Sequence, residues 1–298
     1  MQTFVRKHRL RFEEYRAAAI LLAPAIIGLF VFALFPVFEA FRMSFYDAPL
    51  LSPRREFVGL ENYNDILMDT VFHTAIVNTI VYAIAVVVLQ VVLALVLAML
   101  IKDKFPGVGF FRTAYIIPIV TSLVVVSTVW KIMFHTDNGL INSVLQMFSI
   151  APVRWLTDPN VSLFSIVIIG VWKEVGFSML VLLGGIQSIP GDLYEAASID
   201  GASDWKTFWR ITLPLLRRAL LFVVVLSTVN AFKIFIPIYV ITSGGPSDST
   251  QTIVHYIYET VFRYFKLGYG SALSFVLLAI VLALTAGQFI LLRSDVEY

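Results

Sequence analysis

The chain contains no cysteine among its 298 residues. Disulfide bonds and thiolate metal sites are therefore excluded. The four histidines are scattered without the spacing of metal ligands, and no glycine-rich phosphate loop of the G-x-x-x-x-G-K-[ST] type occurs. The sequence thus predicts no metal site and no ATP site of its own.

Charged residues are scarce as well. They make up 14% of the chain, whereas hydrophobic residues make up 59% and the mean hydropathy is +0.85. Apolar residues run nearer to half in water-soluble domains, so this composition indicates a membrane protein. The net charge of +2 says little about partners, and nucleic acid is not expected among them.

Six apolar tracts are long enough to cross the ~30 Å hydrocarbon core as helices. Since a spanning helix satisfies its own backbone hydrogen bonds, the predicted fold class is an all-α membrane protein with six transmembrane helices. An N-terminal segment, residues 1–16, precedes the membrane domain, residues 17–292, and a tail, residues 293–298, follows it. The predicted spans are residues 17–38, 71–101, 115–134, 163–183, 215–241 and 269–292.

Basic residues set the predicted orientation, because cytoplasmic segments carry an excess of lysine and arginine. With the N-terminus inside, the inner segments hold more basic residues than the outer ones. This favours a cytoplasmic N-terminus and a cytoplasmic loop at residues 188–214. The residues counted inside are Arg6, Lys7, Arg9, Arg11, Arg16, Lys102, Lys104, Arg112, Lys206, Arg210, Arg217, Arg218 and Arg293.

Lys173 and Glu174 lie near the middle of the fourth predicted span. Charges at that depth are costly and normally face a bundle interior or a water-filled cavity. Either the two neutralise one another or bond a neighbouring helix, or their face and one face of the fifth span line a transport pathway. The pathway residues predicted from these two faces are Gly170, Lys173, Glu174, Phe177, Ser227, Asn230, Lys233 and Ile234.

The longest polar stretch with helical character is residues 195–214, EAASIDGASDWKTFWRITLP. Its acidic residues precede its basic ones, which suits a helix macrodipole. Gly201 falls where a short helix, about residues 191–200, needs a residue with positive φ before a second helix begins. Pro214 fits the first turn of the next apolar helix, where no backbone donor is needed.

This stretch matches the pattern E-A-A-x3-G-A-x5-F-x5-P at every fixed position. It therefore resembles the coupling loop of the membrane subunits of ATP-binding-cassette (ABC) importers. The segments WLTDP at residues 155–159 and TSGGP at residues 242–246 resemble the carbohydrate-importer permeases of the maltose and glycerol-3-phosphate type. The resemblance covers roughly residues 20–292 and implies a type I ABC importer permease core that imports a sugar.

The resemblance also implies partners in the plasma membrane of a prokaryote. These are a second homologous permease subunit, an ATPase homodimer, an extracytoplasmic solute-binding protein, a carbohydrate substrate and membrane lipid. ATP and Mg²⁺ would bind the partner ATPase, so this chain is expected to be no enzyme and to hold no cofactor.

Site residues follow from the same resemblance. The helix around Glu195 would sit in a cleft of the ATPase, with two alanines allowing close approach and Gly201 making the turn. Ala231 joins the pathway residues, although the charges of the fourth span stand where the maltose-type permease has uncharged residues. The ligand therefore need not be maltose. The residues implied for ATPase coupling are Asp192, Glu195, Ala196, Ala197, Asp200, Gly201 and Ala202.

Three other functions stay open at this point. A phosphorylated sugar is one substrate alternative, since Lys173 and Lys233 offer charges for a phosphate, and an amino acid or peptide is another, since the coupling loop is shared across importers. A proton-coupled secondary transporter would use Lys173 and Glu174 as a relay, but no inverted repeat is evident. Nothing in the sequence supports a non-transporting scaffold.

Overall fold

The computed structural model describes Tyr15, residues 18–102 and residues 106–292. The predicted N-terminal segment other than Tyr15, the inner basic residue Lys104 and the predicted tail lie outside the described residues. In chain order the helices are α1 (Ala18–Met43), α2 (Glu61–Met68), α3 (Thr70–Leu100), α4 (Val108–Val120), α5 (Leu123–Met133), α6 (Leu140–Met147), α7 (Pro159–Gln187), α8 (Gly191–Ile199), α9 (Asp204–Leu215), α10 (Arg217–Phe232), α11 (Ile253–Tyr258) and α12 (Leu267–Leu292).

Four helices are long and apolar enough to cross a membrane singly, namely α1, α3, α7 and α12. Two further pairs of helices are long and apolar enough to cross a membrane only when each pair is taken together. Each pair is bent, α4 with α5 by 100° and α9 with α10 by 68°. The described residues thus hold four spans, or up to six if each bent pair is one span. The predicted all-α membrane fold is confirmed.

The third predicted span, residues 115–134, is not a single helix. It divides into α4 and α5, because Thr121 and Ser122 adopt extended backbone with ψ of 146° and 127°. Pro118 inside α4 lacks a backbone donor, which weakens the helix just before the break. In the sequence this stretch is one uninterrupted apolar run, so its hydropathy does not indicate the break between the two helices.

The fifth predicted span, residues 215–241, also differs. Its helix is α10, which ends with Lys233 as the C-cap, and a π-helical turn, Ile238–Thr242, follows. Pro214 lies near the end of α9 and not at the start of the apolar helix. A π-helical turn, Phe208–Thr212, precedes this proline, and such bulges accommodate the lost hydrogen bond of a proline.

One compact unit comprises the described residues up to Leu67 together with residues 260–275. Its short antiparallel strands, β1 (Tyr46–Asp47) and β2 (Glu56–Phe57), pair Tyr46 with Phe57. The buried Asn62 amide donates to the backbone oxygens of Ser44 and Tyr46, at 2.9 and 3.1 Å, and so ties α2 to the strand. Local hydrogen bonds thereby order this polar segment.

The second unit comprises the described residues from Met68 to Glu259 and from Val276 to Leu292, and its core lies between α3, α7 and α10. Ala94 and Ala98 of α3 are fully buried beside Met179 and Leu182 of α7. Small residues allow helix backbones to approach closely in a membrane, where packing replaces the hydrophobic effect between helices. This packing fixes the helix faces that carry the polar residues described next.

Candidate functional site

A cavity of about 370 Å³ opens within the second unit. Its walls come from α3, α7 and α10, from Leu123 at the start of α5, and from the segment that follows α10. Ligand sites are typically concave, mostly apolar, and carry a few placed polar groups. The polar residues that line this cavity are Tyr82, Gln90, Lys173, Glu174, Ser227, Asn230 and Lys233.

The structure brings together most of the residues predicted for a pathway. Gly170, Lys173, Glu174, Ser227, Asn230, Ala231, Lys233 and Ile234 all line the cavity. Phe177 of α7 is half-buried and is not among the lining residues. The aromatic rings that line the cavity are instead those of Tyr82 and Phe235.

The Lys173 ammonium binds the backbone at the break between α4 and α5. Its Nζ donates to the backbone oxygens of Pro118, Ile119 and Thr121 at 2.5, 3.0 and 2.7 Å. A lysine ammonium has three protons, so these three acceptors use them all. The carbonyl groups at a helix C-terminus also carry negative partial charge, which attracts a cation. Of the alternatives open from sequence, Lys173 thus bonds a neighbouring helix.

Glu174 remains as an unpaired carboxylate in the cavity wall. Within the described part of the chain, no ion pair or hydrogen bond involves this carboxylate, so Lys173 and Glu174 do not neutralise one another by contact. Lys233 also lines the cavity and is exposed. Among the described residues that line the cavity, the charged side chains without a hydrogen bond or ion pair are therefore Glu174 on α7 and Lys233 at the end of α10.

Gln90 is a cavity residue that the sequence reasoning missed. Its side chain is 2% exposed, and its amide donates to Ser178 Oγ at 2.7 Å and Ser227 Oγ at 3.0 Å. These bonds link α3 to both α7 and α10 around the cavity. The available signal was an amide side chain in the apolar middle of α3, because a polar residue at membrane depth normally faces the protein interior.

Gly170 of α7 lies directly against the side chain of Tyr82 on α3. A Cβ atom at this position would lie 2.4 Å from Tyr82 Oη and 3.3 Å from Tyr82 Cζ. Tyr82 is 2% exposed and lines the same cavity. The missing side chain of Gly170 therefore leaves the space that the tyrosine ring occupies.

The polar stretch after α7 folds as the sequence predicts. Helix α8 ends at Ile199, and Gly201 has φ of +69°. The Ala202 amide donates to Ala197 O at 2.9 Å and the Gly201 amide to Ser198 O at 3.1 Å. These two bonds form a Schellman motif, which requires the left-handed residue that glycine supplies. The predicted positive φ at Gly201 is confirmed.

Helix α8 presents most of its predicted coupling residues outward. Ala197 is 8% exposed and Ala202 is half-buried, so these two pack against the chain itself. The exposed residues of the predicted set are Asp192, Glu195, Ala196, Asp200 and Gly201. Their surface is acidic and is available to a partner protein.

Comparison with known proteins agrees with this architecture. A family model described as "Binding-protein-dependent transport system inner membrane component" matches residues 76–294. The trehalose/maltose transport system permease protein MalF of Thermococcus litoralis is 35% identical over 280 residues, which cover 93% of this chain and 94% of that protein. The sn-glycerol-3-phosphate transport system permease protein UgpA of Agrobacterium fabrum is 34% identical over 282 residues, or 94% and 95% of the two chains.

A solved structure shares the fold. It is the crystal structure of a bacterial ABC transporter involved in the import of the acidic polysaccharide alginate. The superposition has a TM-score of 0.84 at 22% identity and covers 98% of this chain and 100% of the matched chain. At this identity the likeness establishes the fold.

Proposed function

Because the chain belongs to the family of binding-protein-dependent transport system inner membrane components, we propose that it is a permease subunit that moves a carbohydrate through the membrane in an ATP-driven importer. The observation that carries the proposal is the cavity between α3, α7 and α10, where most of the predicted pathway residues meet. Hydroxyl groups of a sugar suit its carboxylate, amide and hydroxyl groups as hydrogen-bonding partners.

The proposed assembly contains a second homologous permease, two ATPase subunits and an extracytoplasmic binding protein. The family description supports the dependence on a binding protein. The exposed α8 supports an ATPase contact, with Glu195 as its main polar group and Ala196 as the point of close approach. ATP and Mg²⁺ would bind the ATPase, and the N-terminus and α8 would face the cytoplasm.

We propose a neutral sugar as the substrate. Among the relatives, permeases named for trehalose or maltose and for glycerol 3-phosphate are about equally similar, so the choice rests on the cavity. The three protons of the Lys173 ammonium are donated to backbone carbonyls, so Lys173 has none for a phosphate, and among the described cavity residues Lys233 is left as the one ammonium without a partner. The unpaired Glu174 carboxylate would repel an anionic ligand and accept from sugar hydroxyl groups.

The substrate class can be tested with the complete importer reconstituted in proteoliposomes. We expect uptake of a radiolabelled neutral sugar that requires ATP and the binding protein and resists a protonophore. Excess neutral sugars should compete and sugar phosphates should not. Competition by sugar phosphates alone would overturn the neutral substrate, and uptake driven by a proton gradient without ATP would overturn the importer itself.

Gly170 and Tyr82 allow a paired test of the cavity. Gly170→Ala places a methyl group against Tyr82 Oη and should push the ring into the cavity, lowering uptake by roughly tenfold, the equivalent of about 1.4 kcal/mol. Tyr82→Phe removes the clashing atom and should restore much of the uptake to the double variant. Gly184→Ala on the same helix is the control, because nothing lies within 4 Å of its Cβ. Equal losses in the single and double variants would contradict the cavity assignment.

A further inference from the structure

Helix α9 carries an exposed stripe of aromatic and basic side chains. Trp205 and Trp209 are 71% and 50% exposed and lie four residues apart, as neighbours on one helix face. Their rings lie 5.6 Å apart, and the Phe208 ring lies 5.4 Å from that of Trp209. Lys206 and Arg210, also exposed, repeat the same spacing one residue further on. The stripe is thus a continuous surface of rings and cations.

The direction of α9 fits a position along a membrane surface. Helix α10 is the apolar member of the bent pair, and α9 is inclined to it by 68°. Spanning helices are tilted by about 20° from the bilayer normal on average. If α10 follows this average, α9 runs closer to the membrane plane than to the normal. A helix in that plane places tryptophan rings at the level of the lipid headgroups.

The basic residues around the bend have no partner within the described chain. No hydrogen bond or ion pair among the described residues involves the side chains of Arg210, Arg217 and Arg218, and all three are exposed. Arg217 and Arg218 stand in the first turn of α10, where the helix macrodipole disfavours cations. Helix stability therefore does not explain these arginines, and an external anion would supply the partner that they lack within the described chain.

Charge separates this surface from the neighbouring α8. The exposed charges of α8 and its C-cap are Asp192, Glu195 and Asp200, and all are acidic. An anionic lipid surface attracts the basic stripe of α9 and repels the acidic face of α8. The two surfaces are thus suited to different partners.

We propose that α9 and the first turn of α10 form a binding surface for anionic phospholipid headgroups of the cytoplasmic leaflet. Lys206, Arg210, Arg217 and Arg218 contact the headgroup phosphates, while Trp205 and Trp209 lie at the boundary with the acyl chains. The segment between the coupling helix and the cavity helix α10 is thereby held at the membrane, so lipid charge influences transport. This inference rests on the proposed orientation with α8 in the cytoplasm.

The position of the stripe can be measured directly because the chain contains no cysteine. Trp205→Cys and, separately, Trp209→Cys are labelled with a bimane fluorophore in the complete importer, whose partners have been made cysteine-free. The importer is placed in vesicles of phosphatidylcholine with or without phosphatidylglycerol, both with brominated acyl chains. Ile199→Cys on α8, an 86% exposed site, is the matched control.

We expect the bromines to quench both labels on α9 strongly and the label on α8 weakly. Arg210→Gln combined with Arg217→Gln and Arg218→Gln should raise the phosphatidylglycerol content needed for half-maximal transport by roughly fivefold or more. Arg54→Gln combined with Arg55→Gln, two exposed outer residues, should leave it unchanged.

Quenching on α9 no stronger than on α8 would overturn the lipid surface. Loss of the ATPase subunit from the triple variant in every lipid would overturn it too and assign the stripe to protein contact. Transport in vesicles without phosphatidylglycerol reports on the proposed function separately. Sugar uptake that continues in those vesicles and does not depend on the lipid composition would overturn the lipid proposal and leave the proposed function intact.

Discussion

Lys173→Met is expected to reduce ATP-driven sugar uptake by at least about tenfold while the chain still assembles with its partners. Methionine keeps the length of the side chain but removes its three donors, so the backbone oxygens of Ile119 and Thr121 lose the Lys173 ammonium and Pro118 O keeps only the Thr121 hydroxyl. An unsatisfied buried acceptor costs about 1–3 kcal/mol. The break between α4 and α5 should therefore relax, and with it the wall of the cavity that Leu123 forms.

Two variants show whether Lys173 positions the helix or touches the substrate. Lys173→Arg keeps donors for the carbonyl oxygens and should recover part of the uptake. Lys233→Met makes the same change at the other lysine of the cavity, which has no partner within the described chain, and should cost less. A positioning role predicts a lower maximal rate with an unchanged preference for neutral sugars. A changed sugar preference, or equal losses at both lysines, would contradict it.

Features that depend on neighbouring residues were accessible from the sequence. The apolar tracts located four continuous helices, and the positive φ at Gly201 follows from the need to end α8 before a second helix begins. Helical spacing placed Gly170 and Glu174 on one face of α7, and both line the cavity. In each case the feature is determined by residues that lie within one or two helical turns of one another.

Features that depend on distant contacts were not accessible. The hydrogen bonds of Lys173 join residues 52 to 55 positions apart, and no local pattern indicates that a lysine of one helix closes a break in another. The same holds for Gln90, whose amide reaches Ser178 and Ser227. Helical spacing alone also included Phe177, which does not line the cavity. Only tertiary packing decides which positions on a shared face reach the same space.

Gly176→Ala is expected to prevent stable folding of the chain in the membrane. A Cβ at Gly176 would lie 1.8 Å from the backbone oxygen of Tyr115 and 2.7 Å from its carbonyl carbon. Backbone atoms inside α4 cannot move aside as a flexible side chain does, so the two helices must separate. Overpacking of this kind typically costs about 1–3 kcal/mol and occasionally more. The loss should exceed that of Gly170→Ala, which meets only side-chain atoms.

The measurement is the amount of monodisperse importer and its melting temperature in detergent. Gly184→Ala is the matched control, with the same change on the same helix and open space around the new methyl group. It should stay within about 0.5 kcal/mol of the parent, whereas Gly176→Ala should yield roughly a tenth of the folded complex or less. Equal yields would contradict the close contact between α7 and α4.

The reason to expect so large an effect is that Gly176 and Lys173 act on the same pair of helices. They lie three residues apart, and positions at this spacing share a helix face. At Gly176 the backbone of α7 touches α4, and at Lys173 the side chain holds the end of α4. Gly170 and Glu174 on the same helix line the cavity. Separation at Gly176 would therefore displace the contact that fixes the break and, through it, the cavity.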